Sequence, residues 1–160
     1  MDDGSRLPWV IVGVLLLCAM FLAVTETAFA SVSKPKLKLA ADKGVSKAHK
    51  ALWILENFDR AITTILIGTN IVHIAAASIV TVAVTKRWGV GAVSLSTVLT
   101  TIVVFFAGEM LPKSIGKKYS ESIAIASSGI LTVLMTRQTF SGGNIVANAR
   151  RSNFALSRSI

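Results

Sequence analysis

Three long apolar runs divide this chain, from Trp9 to about Ala30, from Ala61 to about Thr85 and from Val93 to Leu111. Each approaches the ~20 residues that carry a helix across a bilayer. The rest of the composition agrees: 52% of the 160 residues are hydrophobic and the mean hydropathy is +0.65, too apolar for a soluble domain with a charged surface. In lipid a backbone must satisfy its own hydrogen bonds, so runs of this length are expected as helices in an all-α integral membrane protein. A fourth stretch, Ile123 to Thr136, is apolar for only about fourteen residues, the length of a re-entrant or interfacial helix rather than a span. It is placed as a juxtamembrane helix over about 121–136.

The first run imitates a secretory signal, because Ala28-Phe29-Ala30 has the small residues of a cleavage site. Its flanks argue against one: Asp2 and Asp3 outweigh Arg6, the apolar stretch is too long, and Glu26 stands just before the would-be site. The single Cys18 lies inside this run without a partner, so it reports no disulfide and no redox compartment.

The net charge of +9 is distributed between the spans rather than along a nucleic-acid-binding face. Lys34, Lys36, Lys38, Lys43, Lys47, Lys50 and Arg60 lie between the first and second runs, offset by Asp42, Glu56 and Asp59, and Lys113, Lys117 and Lys118 follow the third. Positive loops face the cytoplasm, so the chain is expected to cross the plasma membrane three times. The N-terminus and the Lys86-Arg87-Trp88-Gly89 turn would be outside and the C-terminus inside. The basic loop also carries two short amphipathic patterns, Leu37 with Leu39, and Ala48, Ala51, Leu52 and Leu55. These are expected to lie on the inner leaflet with their lysines toward anionic headgroups. No basic patch interleaved with aromatics accompanies the charge, so no nucleic-acid partner is expected.

Polar residues inside the spans point to a site. In Gly108-Glu109-Met110-Leu111-Pro112 the proline cannot donate to the carbonyl four residues back, which leaves the Gly108 oxygen free beside the Glu109 carboxylate near membrane depth. Glycine at 108 also lets other backbones come close. An intramembrane acid is a functional-site hypothesis by default, and two hard oxygens suggest a cation. Thr25, Glu26 and Thr27 lie near the inner end of the first span and Asn70 about half-way along the second, so these groups are expected at one level. Thr63, Asn70, His73 or Ala77, and Thr81 form a stripe expected to face the bundle. Each residue also has a structural reading. Thr25, Thr27 and Ser78 can bond to their own preceding turn, and Asn70 can join helices. His73 can be a packed core histidine, and Glu26 a neutral acid or the partner of an interfacial lysine.

Thr25-Glu26-Thr27-Ala28-Phe29, Leu55-Glu56-Asn57-Phe58-Asp59-Arg60, Thr63-Thr64-Ile65-Leu66-Ile67-Gly68-Thr69-Asn70-Ile71-Val72 and Gly108-Glu109-Met110-Leu111-Pro112-Lys113-Ser114 closely resemble the membrane domain of the CNNM/CorC magnesium transporters, whose bacterial members are called hemolysin-like. The resemblance covers about residues 9–136. It implies a homodimer, three spans and a juxtamembrane helix per protomer, and a largely dehydrated Mg2+ site in each bundle. Carried over, the ligands are Glu109, the Gly108 backbone, Asn70 and the Thr25 hydroxyl. Ser78 and His73 join them as candidates, with Glu26, Thr27 and Thr69 in support and Pro112 as the helix break.

Two departures from the family pattern stand out. Serine is common where this chain has Ala23 and Thr25, and asparagine is frequent where it has His73, so the oxygen set is thinner here and an imidazole is available to a softer metal. Family members also continue into a pair of nucleotide-binding CBS domains. Here residues 137–160 are rich in Ser, Asn, Gly and Arg without an apolar period and read as a polar tail, so no ATP-binding pair is expected in this chain. No His-Glu-x-x-His and no Gly-x-Ser-x-Gly occurs, and no enzyme is expected. The function expected is transport, in the export direction, of Mg2+ or a similar divalent ion. The alternative is a non-transporting membrane-embedded binding or regulatory subunit, or a truncated fragment of a transporter.

Overall fold

The computed structural model describes residues 3–137, with side chains from Arg6 onward; the expected polar tail lies almost wholly outside the described residues. Helix α1 is Asp3–Ser31, α2 Lys34–Asp42, α3 Ser46–Glu56, α4 Phe58–Trp88, α5 Val93–Val103 and α6 Leu111–Lys118, and a final helix α7 covers 120–137. A short turn at Val90–Ala92 precedes α5, and a π-helical segment, Val104–Met110, joins α5 to α6. The described residues are helix and turn, with no strand. Three stretches are long and apolar enough to cross a membrane: Arg6–Ser31, Phe58–Trp88 and Val90–Lys118. All three outrun the apolar stretches of the sequence, because a helix once nucleated continues into polar flanks at no cost in backbone hydrogen bonds.

At the basic end the chain builds its core. The α2–α3 turn closes on Gly44 (φ +84°), whose N–H donates to Ala41 O at 2.9 Å while Val45 N–H reaches back to Ala40 O at 3.2 Å. This left-handed glycine cap turns α3 back against α2. Leu37 and Ala41 on α2, and Ala48, Ala51 and Ile54 on α3, are buried. Leu37, Ala51 and Ile54 share a cluster with Phe29 of α1, Ala61 and Ile65 of α4, and Ala124, Leu131 and Met135 of α7. Ser128 Oγ on α7 lies 3.1 Å from Lys47 O of α3 and 2.9 Å from Ile125 O of its own helix, so its single proton is shared between an interhelical and an intrahelical acceptor. The apolar faces of the basic loop, expected on the lipid, are therefore largely spent on protein. Only Leu39 and Trp53 among the larger apolar residues of α2 and α3 remain exposed, so Leu37 and Leu39 do not share a face.

The third span meets α1 along Gly108, Pro112 and Gly116, its three buried residues, which recur every fourth position. A Cβ at Gly116 would stand 2.6 Å from Val24 O and 3.1 Å from Thr27 Cβ, and one at Gly108 would stand 3.3 Å from Leu16 Cδ1. Close backbone approach of this kind is how helices associate in lipid, where burying apolar surface gains nothing. Gly116→Ala is therefore expected to force α6 from α1 and to cost about 1–3 kcal/mol. Gly129→Ala, on α7 with nothing within 4 Å of the added methyl, is expected to be neutral or stabilising by up to about 1 kcal/mol. Thermal unfolding of the two variants in detergent checks the contrast.

Candidate functional site

Pro112 offers no N–H to Ala107 O in π register or to Gly108 O in α register. The winding ahead of it is wide: Leu111 N–H donates to Phe106 O, five residues back, and the π segment ends one residue short of the proline. Such segments gather at functional positions because the extra residue per turn displaces side chains from the regular helical face. Glu109 lies inside it. With Gly108 buried against α1, the next residue turns toward α4, and Glu109 Oε1 comes to 3.7 Å from His73 Nδ1. Their side chains keep 36% and 24% of their exposure, so the pair is half-buried rather than sealed.

Three polar atoms nearby are buried without a hydrogen-bond partner: Thr25 Oγ1, Thr69 Oγ1 and His73 Nε2. The two hydroxyls differ from their neighbours. Thr63, Thr64, Ser78, Thr81 and Thr85 on α4 each donate to the carbonyl four residues back at 2.8–2.9 Å. Thr69, on the same helix, makes no such bond, and neither does Thr25, which is 1% exposed. A buried unpaired hydroxyl costs stability unless something supplies its partner.

The buried stripe of α4 runs through Ala61, Ile65, Ala76, Val80 and Val84; beside it Thr69 and His73 are half-buried and Ala77 and Thr81 exposed. His73, Ala77 and Thr81 line a cavity of about 340 Å3 together with Thr97, Thr101 and Glu109. Asn70, Ser78 and Thr63 are exposed in the single chain and are not among the residues that line this cavity. A second cavity of about 220 Å3, mostly apolar, lies between α1, α4 and α5, and His73 lines it too. Glu26 Oε2 stands 3.9 Å from Lys113 Nζ, joining α1 to α6, and Thr27 packs near Gly116.

The expected convergence on one level is replaced by a line. Leu16 meets Gly108 and Val24 meets Gly116, so α1 and the third span run parallel in fixed register. Thr25 therefore stands roughly 13 Å from Leu16 toward the basic end. Gly68 on α4 meets Leu22, which places Thr69 between the His73 level and Thr25. Among the described residues no group of three or more His, Cys, Asp and Glu side chains forms a metal cluster. Any ion here would have one carboxylate and one imidazole at most, with hydroxyl, backbone and water oxygens completing its shell.

The unpartnered Thr25 hydroxyl has a direct stability signature. Thr25→Val keeps the shape and is expected to leave the ion-free protein equally stable or more stable by up to about 1 kcal/mol, because no hydrogen bond is lost. Ser128→Ala removes the buried hydroxyl that donates to Ile125 O or Lys47 O and is expected to cost about 0.5–1.5 kcal/mol. Chelator-treated protein unfolded by heat distinguishes them.

Residues 10–137 match the family model described as the cyclin M transmembrane N-terminal domain. A UPF0053 protein of Haemophilus influenzae is 32% identical over 127 residues, which cover 79% of this chain and 30% of that protein. The UPF0053 inner membrane protein YfjD of Escherichia coli is 32% identical over 114 residues, 71% of this chain and 27% of the relative. A chloroplastic DUF21 domain-containing protein of Arabidopsis thaliana is also 32% identical over 114 residues, but only 17% of it is covered. The chain thus spans less than a third of the length of these relatives.

Proposed function

The chain belongs to the cyclin M (CNNM) transmembrane-domain family, and from that premise we propose that it moves Mg2+ or a similar divalent cation across the membrane, in the export direction, through the polar line that starts at Glu109. One observation carries the reading: Thr25 Oγ1 and Thr69 Oγ1 are buried without partners on the two helices that flank a carboxylate in a broken span. Oxygen lone pairs that are not needed by the fold can replace water around a hard ion, and Glu109 supplies the charge that offsets dehydration.

The break gives the pathway a place to move. Broken spans recur at transporter binding sites because the discontinuity both frees backbone groups and acts as a pivot. In this chain the pivot is the π segment and Pro112, held to α1 by small residues and flanked by a loosely packed α5 with no buried residue. The family resemblance points to a homodimer, and the bare face of α5 suits contact with a second copy or with lipid. The charge of the loops supports N-terminus outside and C-terminus inside in the plasma membrane.

Glu109→Gln keeps the shape of the side chain and removes its charge. It is expected to abolish protection by Mg2+ against thermal unfolding, a stabilisation of about 2.7 kcal/mol at a concentration of 100 Kd. The ion-free variant should be equally or more stable, because an unpaired carboxylate is costly to bury. Lys118→Ala, at an exposed position, is the control and should behave as the parent. Protection of Glu109→Gln equal to the parent's would place the ion elsewhere. Flux of Mg2+ into or out of reconstituted liposomes tests transport itself, and protection without flux would favour a non-transporting binding subunit.

A further inference from the structure

His73 is the side chain that an oxygen-only pathway leaves unexplained. Its Nε2 is buried with no partner, and its Nδ1 faces Glu109 Oε1 across 3.7 Å, longer than the 2.7–3.2 Å of an ordinary N–H···O bond. Two donors on one tetrahedral ion, each at about 2.0–2.2 Å, stand roughly 3.4 Å apart. The observed gap therefore closes onto an ion with a shift of a few tenths of an ångström. Mg2+ has little use for an imidazole, whereas Zn2+ and its neighbours favour one.

The cavity beside the pair supplies the remaining positions. Thr81, Thr97 and Thr101 line it, and each hydroxyl gives its proton to a backbone carbonyl: to Ala77 O at 2.9 Å, Val93 O at 2.9 Å and Thr97 O at 2.8 Å. With the protons committed, these oxygens present lone pairs, the correct partners for water bound to a cation, since such water is a donor. The cavity's volume of about 340 Å3 has room for an ion carrying water ligands.

We propose that His73 and Glu109 form a two-residue site for a borderline-soft divalent cation, Zn2+ or Co2+, completed by water from the threonine-lined cavity. Zn2+ then binds ahead of Mg2+ at the Glu109 end of the polar line. The proposal rests on the reading of Glu109 as an ion ligand and adds to it the identity of the ion that this end prefers.

The test uses the full chain, with the exposed Cys18 and the exposed His49 replaced (Cys18→Ser, His49→Ala) so that neither surface group competes for soft metal. Thermal unfolding is titrated with Zn2+ and with Mg2+, and Co2+ is followed by its visible absorption, which is strong only in low-coordinate geometry. Zn2+ is expected to protect at concentrations well below those of Mg2+. His73→Asn, which stays polar and leaves the carboxylate in place, should weaken Zn2+ protection by about tenfold or more, because even the outer hydrogen-bond partners of metal ligands are worth that much. It should also erase the Co2+ absorption; Glu109→Gln should weaken both ions. A Zn2+ titration of His73→Asn that overlays its parent overturns the proposal. If Zn2+ gives the parent no advantage while Mg2+ protection still requires Glu109, the imidazole site falls and the divalent-ion reading stands. If neither ion protects the parent, both fall.

Discussion

The approach of the third span to α1 at Gly116 positions everything else in the site. The Cβ that any other residue would carry there lands 2.6 Å from Val24 O, so this face tolerates no side chain. With Gly108, Pro112 and Gly116 pressed on α1, the residues one position on are aimed by helical rotation: Glu109 toward His73 of α4, and Lys113 toward Glu26 of α1. Small residues thus set both the depth and the direction of the carboxylate. The proline adds the π winding of Val104–Met110, because no N–H at 112 exists to hold the regular ladder.

Packing is dense at one end of the molecule and sparse at the other, and the solvent explains why. Phe29, Leu37, Ile54, Ile65, Leu131 and Met135 are almost completely buried where the basic loop and α7 meet the C-terminal part of α1 and the N-terminal part of α4. Water is close there, so apolar burial is rewarded. Deeper in lipid an exposed Leu17, Ile71 or Leu95 costs nothing, and α5 buries no residue at all. At the far end Trp9 and Trp88 meet edge to face with centroids 6.3 Å apart, the residue type that belongs at a membrane interface. A firm basic end and a loose opposite half are what a bundle needs if α5 is to shift without unfolding the rest.

The spans, their helical state and the break at Pro112 were legible because length, hydropathy and proline chemistry are local properties. The site was legible only in part. On α4, the expected stripe of Thr63, Asn70, His73 or Ala77, and Thr81 contains His73, and Asn70 and its neighbour Thr69 stand about 100° apart around the helix. Periodicity shows that a polar stripe exists without fixing its phase. In the fold Thr69 Oγ1 is buried and Asn70 is exposed; the spacing of four from Thr69 to His73 was visible in the sequence but competed with the more polar Asn70. Relative depth was equally hidden. Sequence measures depth along each helix from its own ends, whereas the slide between helices is set by contacts such as Leu16 on Gly108 and Leu22 on Gly68. Thr25 for that reason lies well inward of Glu109 instead of beside it.

The placement of Lys113 bears on how the Glu109 charge is used. On a regular helix, glutamate and lysine four residues apart face one another and pair. Across this π turn and proline they do not: Lys113 Nζ is drawn to Glu26 on α1, at 3.9 Å, and Glu109 meets the imidazole of His73 instead. The Glu26–Lys113 pair is itself partly exposed and adds little stability. Its consequence is electrostatic, since it occupies the one ammonium close enough in sequence to neutralise Glu109 from its own helix. On the proposed function this leaves the intramembrane carboxylate facing an imidazole and a cavity of about 340 Å3, so a mobile cation entering that cavity meets a carboxylate that no lysine of its own helix holds.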